Sequence, residues 1–110
     1  RACDRISIDH GVMEAARDVW CVPADVGWSD VGNWDALGHA RGGDEAGNSV
    51  VGSATLIDTT NCVVDAADGI TVSAIGIDGL VVVATANQVL VTARADCEKV
   101  RELAPDGRAR

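Results

Sequence analysis

The second half of the chain alternates short apolar runs with turn-forming residues. Five runs rich in β-branched residues follow one another: SVVGSATLIDT, NCVVDA, ITVSAIGI, LVVVAT and QVLVTA. Pairs such as Asp68-Gly69 and Asp78-Gly79 separate them. Several short strands at a spacing of about ten residues indicate a sandwich, a barrel or a β-solenoid rather than βαβ units. The periodicity alone does not distinguish a β-helix from a twisted meander.

The first forty residues have a different, mixed pattern. Apolar side chains at helical spacing predict a short amphipathic helix over 6–16. The run VWCV predicts a buried strand over 19–22, ended by a proline. A loop then leads to a second short helix over 34–40, with Asn33 or Asp30 as its N-cap.

A polar, glycine-rich connector, RGGDEAGN, joins these two halves and is the best candidate for a boundary. At the other end, RADCEKVRELA places Cys97, Val100 and Leu103 at helical spacing and predicts a C-terminal helix. The pattern therefore predicts four segments, over 1–41, 42–49, 50–94 and 95–110.

Composition narrows the function classes. The chain has 110 residues, enough for one ordinary domain or for the end of one domain plus a small module. Its net charge of −8 repels phosphate backbones, so nucleic-acid binding is not expected. A small phosphorylated substrate remains possible because one metal ion outweighs the global field. No apolar run is long enough to span a membrane, so no membrane association is expected.

The four cysteines indicate a cytoplasmic protein. They form no Cys-x-x-Cys pair, and no histidine lies at the spacing of a zinc site. We interpret them as free and mostly buried thiols, as in reducing compartments. A disulfide framework is the alternative, although nothing else in the sequence suggests secretion.

The stretch GWSDVGNW, residues 27–34, combines residues suited to a binding loop. It sets the carboxylate of Asp30 between two tryptophans and two glycines. Glycine allows tight turns and close approach to a ligand. A carboxylate suits a hard cation such as Mg²⁺.

Two longer stretches give this loop a context. The runs SIDHGVMEAA and VWCVPADVGWSDVGNWDAL resemble the distal part of the nucleotidyltransferase domain of mannose-1-phosphate guanylyltransferases. After the connector, GSATLIDTTNCVV, GIDGLVVVATA and NQVLVTA resemble the family's C-terminal region in order and spacing. The resemblance implies an α+β, mainly β fold: the tail of an α/β nucleotidyltransferase domain, a small β-rich module that is left-handed β-helix-like or a meander, and a C-terminal helix.

The resemblance also implies roles for individual residues. The family's Trp-x-Asp-x-Gly pattern falls on Trp28, Asp30 and Gly32, which makes Asp30 a catalytic residue and a ligand of Mg²⁺, with Trp28 and Gly32 at the substrate. The alternatives are that Asp30 caps the following helix or holds a turn, and that Trp28 packs in the core. The second motif, SIDHGVME, makes Asp9 and Glu14 candidates for supporting contacts to the sugar phosphate. Alternatively, Asp9 caps a helix and Glu14 is solvated.

The function implied by the resemblance is synthesis of GDP-mannose from GTP and mannose 1-phosphate, with release of pyrophosphate. The sequence starts at Arg1 within what reads as continuing structure, so we expect a C-terminal fragment that lacks the N-terminal nucleotide-binding half and is inactive alone. A homodimer through the β-rich module is expected from the family. The alternatives are a non-catalytic oligomerisation or binding module, and a nucleotidyltransferase for another sugar or base.

Overall fold

The computed structural model describes residues 5–103, which contain six strands and three helical segments. The helical segments are a π-helical turn at Asp9–Met13, an α-helix (α1) at Trp34–Arg41, and a 3₁₀ helix at Arg94–Leu103. The strands are β1 (Ser49–Val51), β2 (Ser53–Ile57), β3 (Val63–Ala66), β4 (Thr71–Ile75), β5 (Leu80–Ala84) and β6 (Val89–Ala93).

The strands wind as a parallel coil. β3 pairs in parallel with β5 so that Val63 lies opposite Val81, and β2 pairs in parallel with β4 so that Ser53 lies opposite Thr71. Both partners lie 18 residues further along the chain, and an isolated parallel bridge between Thr60 and Asp78 has the same offset. A common offset on three faces defines a β-helix and excludes a meander, whose neighbouring strands would be antiparallel.

The two ends of the coil depart from this repeat. The first turn is shorter, since β1 pairs in parallel with β3 at an offset of 14 residues. At the other end β6 folds back antiparallel on β5, so the larger sheet has the order β1-β3-β5-β6. The 3₁₀ helix follows β6 directly and supplies the expected C-terminal helix. The predicted helix and tail beyond residue 103 lie outside the described residues.

One part of the core lies between the larger sheet and the flanking helices. Val63, Val81 and Val83 form one buried cluster with Cys97 from the 3₁₀ helix. The half-buried side chains of Trp34 and Leu90 pack against this cluster. The absence of Phe and Tyr from the sequence agrees with this thin, valine-rich core, because β-branched side chains pack well on a pleated surface.

A buried asparagine closes the first corner of the coil. The Asn48 side chain accepts a hydrogen bond from the Cys62 backbone N–H at 3.0 Å and donates one to the Thr59 carbonyl at 2.8 Å. Asn48 is only 4% exposed. These two bonds join adjacent turns where the strand ladder is interrupted, and they satisfy backbone groups that would otherwise be buried without partners.

Helix α1 is present as predicted and lies on the coil. The Asn33 side chain accepts a hydrogen bond from the Ala36 N–H at 2.8 Å, so Asn33 is the N-cap. The Gly38 backbone contacts β3 so closely that an added Cβ would overlap a Val63 methyl group. At the last residue of the helix, Arg41 donates to the Asp65 carboxylate at 2.7 Å.

Residues 5–32 contain no buried residue, and two predictions for this segment are wrong. The strand expected over 19–22 is absent, and Trp20 is 93% exposed, because no described strand pairs with this segment. The helix expected over 6–16 is reduced to the π-helical turn. Short helices need tertiary packing to persist, and here the apolar side chains of Ile8 and Val12 are exposed. Within residues 5–103, no helix combines the length and apolar content needed to cross a membrane.

Candidate functional site

Asp30 lies in an exposed loop immediately before α1. Its carbonyl accepts a hydrogen bond from the Gly32 N–H at 2.9 Å, which makes a tight turn. Its carboxylate accepts no hydrogen bond from the described residues, and the capping role belongs to Asn33. The Asp30 carboxylate is thus open to solvent and available to a ligand.

The two tryptophans of the loop have different environments. Trp28 is 77% exposed, so the core-packing alternative is wrong for this residue within the described structure. Trp34 instead packs against the valine cluster. Gly32 takes part in the turn through its backbone N–H and is exposed.

The second motif forms a small exposed cluster of its own. The His10 Nδ1 and Glu14 Oε1 atoms are 2.7 Å apart on successive turns of the short helical segment. Asp9 does not cap this segment by its side chain; its backbone carbonyl accepts the Glu14 N–H at 2.9 Å. Both acidic side chains are exposed, and no described hydrogen bond joins this cluster to the Asp30 loop.

The carboxylates of residues 5–103 do not converge on a complete metal site. No group of three or more His, Cys, Asp or Glu side chains in this range is arranged to hold a metal ion.

The structure adds a polar cleft that sequence reasoning did not identify. It has a volume of about 260 Å³ and lies where the end of α1 and the glycine-rich connector meet the coil. His39, Asn61 and Arg94 line it, together with Asp44 and Ser49. Arg94 is held at this cleft by a fork of hydrogen bonds.

The partners of Arg94 come from distant parts of the chain. Its Nε donates to Asp35 Oδ1, its Nη1 donates to the Asn61 carbonyl at 3.1 Å, and its Nη2 lies 2.8 Å from His39 Nε2. Because a guanidinium has no acceptor, His39 Nε2 accepts this last bond. Asp35 lies 59 residues from Arg94, so no local pattern signals the contact.

One thiol beside this network is electrostatically unusual. Burial raises the pKa of the Cys97 thiol above its ordinary value, and the nearby Asp35 carboxylate adds to the rise, while a hydrogen bond from the Asp35 backbone opposes it. Cys97 is therefore a packing thiol, not a reactive one.

A carboxylate at a corner of the coil has a pKa shifted in the opposite direction. Hydrogen bonds from Thr60 Oγ1, at 2.5 Å, and Asn61 Nδ2, at 2.9 Å, lower the pKa of the exposed Asp78 carboxylate. Thr60 and Asp78 face each other across adjacent turns of the coil. Asp78 is thus a structural carboxylate at a corner, in agreement with the turn role expected from its position at a strand end.

Comparison with known proteins first shows which domain family the coil resembles. The family described as MannoseP isomerase/GMP-like beta-helix domain matches residues 52–105. A crystal structure from Thermus thermophilus, named a mannose-1-phosphate geranyltransferase, superposes with a TM-score of 0.74 and 40% identity. The match covers 96% of this chain and 32% of that chain. The fold is thus that of a β-helix domain which, in the solved relative, forms part of a larger protein.

Curated relatives then place the chain more narrowly. It is 38% identical over 100 residues to a mannose-1-phosphate guanylyltransferase from Klebsiella pneumoniae, covering 91% of this chain and 21% of the relative. It is 40% identical over 111 residues to one from Escherichia coli K12, covering 97% and 23% respectively. The alginate biosynthesis protein AlgA of Pseudomonas syringae pv. tomato is 35% identical over 101 residues, covering 92% and 21%. The chain is thus similar to a segment of mannose-1-phosphate guanylyltransferases and spans about a fifth of the length of these curated relatives.

Proposed function

We propose that this chain is the C-terminal part of an enzyme that makes GDP-mannose from GTP and mannose 1-phosphate and releases pyrophosphate. The observation that carries the proposal is the unengaged Asp30 carboxylate, which stands in the GWSDVGNW loop one turn before a helix docked on a β-helix of this family. Relatives of 34–41% identity that carry the guanylyltransferase name support the same assignment.

Asp30 is the proposed ligand of Mg²⁺. The reaction brings two phosphorylated reactants together, and a bound divalent cation offsets the repulsion between their phosphates. The tight turn at Gly32 and the Asn33 cap fix the backbone on the C-terminal side of Asp30. They therefore constrain the position of the backbone from which the Asp30 carboxylate extends. The remaining ligands are expected from water, from substrate and from outside this chain.

The other proposed substrate contacts surround this carboxylate in the sequence. The exposed indole of Trp28 offers an apolar face to the sugar, and Gly32 keeps the approach to Asp30 open. Asp9 and Glu14 would support the sugar phosphate from the separate cluster, with His10 holding Glu14 by their 2.7 Å contact.

The test is a chimera in which these 110 residues replace the matching segment of the Klebsiella pneumoniae relative. Pyrophosphate release from GTP and mannose 1-phosphate is measured across a Mg²⁺ titration. Asp30→Ala should lower kcat by about 10²–10³-fold, the usual cost of removing one group that stabilises transition-state charge. Asp18→Ala, another exposed aspartate of the same segment, is the matched control and should retain turnover. Unchanged turnover in Asp30→Ala would remove Asp30 from the mechanism. Other sugar 1-phosphates and nucleoside triphosphates, tested in parallel, decide the specificity.

We further propose a cytoplasmic homodimer formed through the β-helix. The described cysteines Cys21, Cys62 and Cys97 are all free thiols, as in reducing compartments. β6 pairs only with β5 among the described strands, and its Val89 and Val91 side chains are 65% and 60% exposed. An open, apolar edge strand favours pairing with a second copy. Sedimentation equilibrium should show a dimer that Val91→Lys weakens; a monomer at all concentrations would refute the pairing. A stable dimer with an inactive chimera would favour the non-catalytic module instead.

A further inference from the structure

One of the links between α1 and the β-helix lies at the N-terminal end of the helix. Asp35, the second residue of α1, is held by Arg94 from the first residue of the 3₁₀ helix. Their side chains are only 30% and 20% exposed. Trp34, beside Asp35, packs on the valine cluster. This end of α1 is thus fixed both by charge and by packing.

The same end of the helix adjoins the Asp30 loop. Hydrogen bonds from the Ala36 and Leu37 amides to Asn33 tie the loop to the first helical turn, at 2.8 Å and 3.1 Å. Within residues 5–32, every described hydrogen bond is local, so none joins this segment to the coil. The contacts at Trp34 and Asp35 are therefore the first anchors that follow Asp30 along the described chain.

Resting on the function proposed above, we propose that Arg94 is a positioning residue for the nucleotidyl-transfer site. It holds Asp35, fixes the start of α1 on the β-helix, and so determines where the adjoining loop presents the Asp30 carboxylate. The β-helix then contributes to turnover as well as to assembly. Displacement of a reacting group by about 1 Å costs up to a hundredfold in rate, which makes such an anchor consequential.

Arg94 suits this task because its guanidinium contacts three residues at once. Its fork reaches Asp35 and His39 on α1 and the Asn61 carbonyl at a corner of the coil. Its own backbone N–H donates to the Gly79 carbonyl at 2.9 Å, so the arginine is fixed to the next turn of the coil. A lysine has a single nitrogen at its tip and cannot span these partners in the same geometry.

The chain supplies a matched control at the opposite end of the same helix. Arg41 pairs with Asp65 of β3 at 2.7 Å, and these side chains are 34% and 22% exposed. This ion pair also docks α1 on the coil, but it lies eleven residues from Asp30 in the sequence instead of five for Asp35. Arg41→Ala therefore reports the cost of weaker docking without a direct effect on the loop.

The kinetic test uses the chimera described above. Arg94→Ala should lower kcat about tenfold to a hundredfold and raise the Mg²⁺ concentration needed for half-maximal rate, whereas Arg41→Ala should change both less than about twofold. Arg94→Lys should be intermediate, because it keeps the charge and loses the fork. Asp35→Asn, which keeps the shape of the side chain, should give the same direction of change and serves if Arg94→Ala does not fold. Equal kinetic losses in the Arg94 and Arg41 variants would overturn the inference.

Hydrogen exchange on the 110-residue chain gives a readout that does not depend on activity. Arg94→Ala should speed exchange at the Ala36 and Leu37 amides, and Arg41→Ala should not. Unchanged exchange at both amides would overturn the inference even if turnover fell. The kinetic results distinguish the two proposals. Full turnover in Asp30→Ala overturns both of them. Loss of turnover in Asp30→Ala together with wild-type kinetics in Arg94→Ala overturns the positioning role alone.

Discussion

Replacing Gly52 by alanine should destabilise the β-helix far more than replacing Gly69. Gly52 forms the corner between β1 and β2 with φ +83°, and a Cβ built there would overlap the Ala66 carbonyl oxygen of the next turn. Gly69 has almost the same backbone angle, φ +81°, but a Cβ there meets no atom within 4 Å. Both variants therefore place an alanine on a left-handed backbone, but only Gly52→Ala also creates a steric overlap.

The magnitude follows from these two costs. A left-handed backbone costs an L-residue about 1–2 kcal/mol, so we expect Gly69→Ala to lower the free energy of unfolding by that amount. Overpacking a tight site adds about 1–3 kcal/mol, so we expect about 2–5 kcal/mol for Gly52→Ala. The second cost cannot be relieved by a rotamer change, because the overlapping atom belongs to the backbone.

The assay is urea denaturation of the 110-residue chain followed by circular dichroism of the strands, with both variants and the parent measured together. The double variant Gly52→Ala/Ala66→Gly is the control for side-chain crowding. It should not recover stability, because trimming the Ala66 side chain leaves its carbonyl in place. Equal losses in Gly52→Ala and Gly69→Ala would refute the argument that the turns of the coil touch at this corner.

Three further predictions concern stability. Asn48→Ala should lower the free energy of unfolding by about 2–4 kcal/mol, since a buried N–H of Cys62 and a buried carbonyl lose their partner; a loss under about 1 kcal/mol in the same urea assay would contradict this. Because the pKa of Cys97 is raised in the folded state, its contribution to stability is complete below about pH 9, the ordinary pKa of a thiol, and is lost as the pH rises through the pKa of the folded state. Cys97→Ala should flatten this part of a curve of stability against pH, and an identical slope would contradict the prediction. Because the pKa of Asp78 is lowered in the folded state, its contribution to stability is complete above about pH 3.8 and is lost as the pH falls through the pKa of the folded state. Thr60→Val should raise the pKa of Asp78 in an NMR titration, and an unchanged titration midpoint would contradict the prediction.

Much of the secondary structure could be predicted from the sequence because it depends on local signals. The β-branched runs gave the strands of the second half, and the polar residues between them gave the corners. The helix over Trp34–Arg41 followed from its Asn33 cap and its short apolar pattern. The run VWCV failed as a strand because a strand exists only with a partner, and composition does not reveal whether one is present.

Some residues of the candidate site could likewise be predicted from the sequence, and others could not. Asp30 could be selected from its sequence motif, and the exposed loop in which it lies is compatible with that choice. Arg94 could not be selected, because an arginine that follows a strand carries no distinguishing pattern. Its role depends on contacts with Asp35 and His39, which lie more than fifty residues away.

By itself the sequence determined where strands, corners and the capped helix lie, because these depend on neighbouring residues and on the side-chain chemistry of each position. Only the tertiary structure decided that the strands coil in parallel with an offset of 18 residues, instead of folding as a meander. It also decided that one arginine fixes the helix next to the Asp30 loop. The physical reason is that strand register and ion pairing join residues far apart in the chain, so they are set by packing of the valine core and by close backbone contacts at the corners.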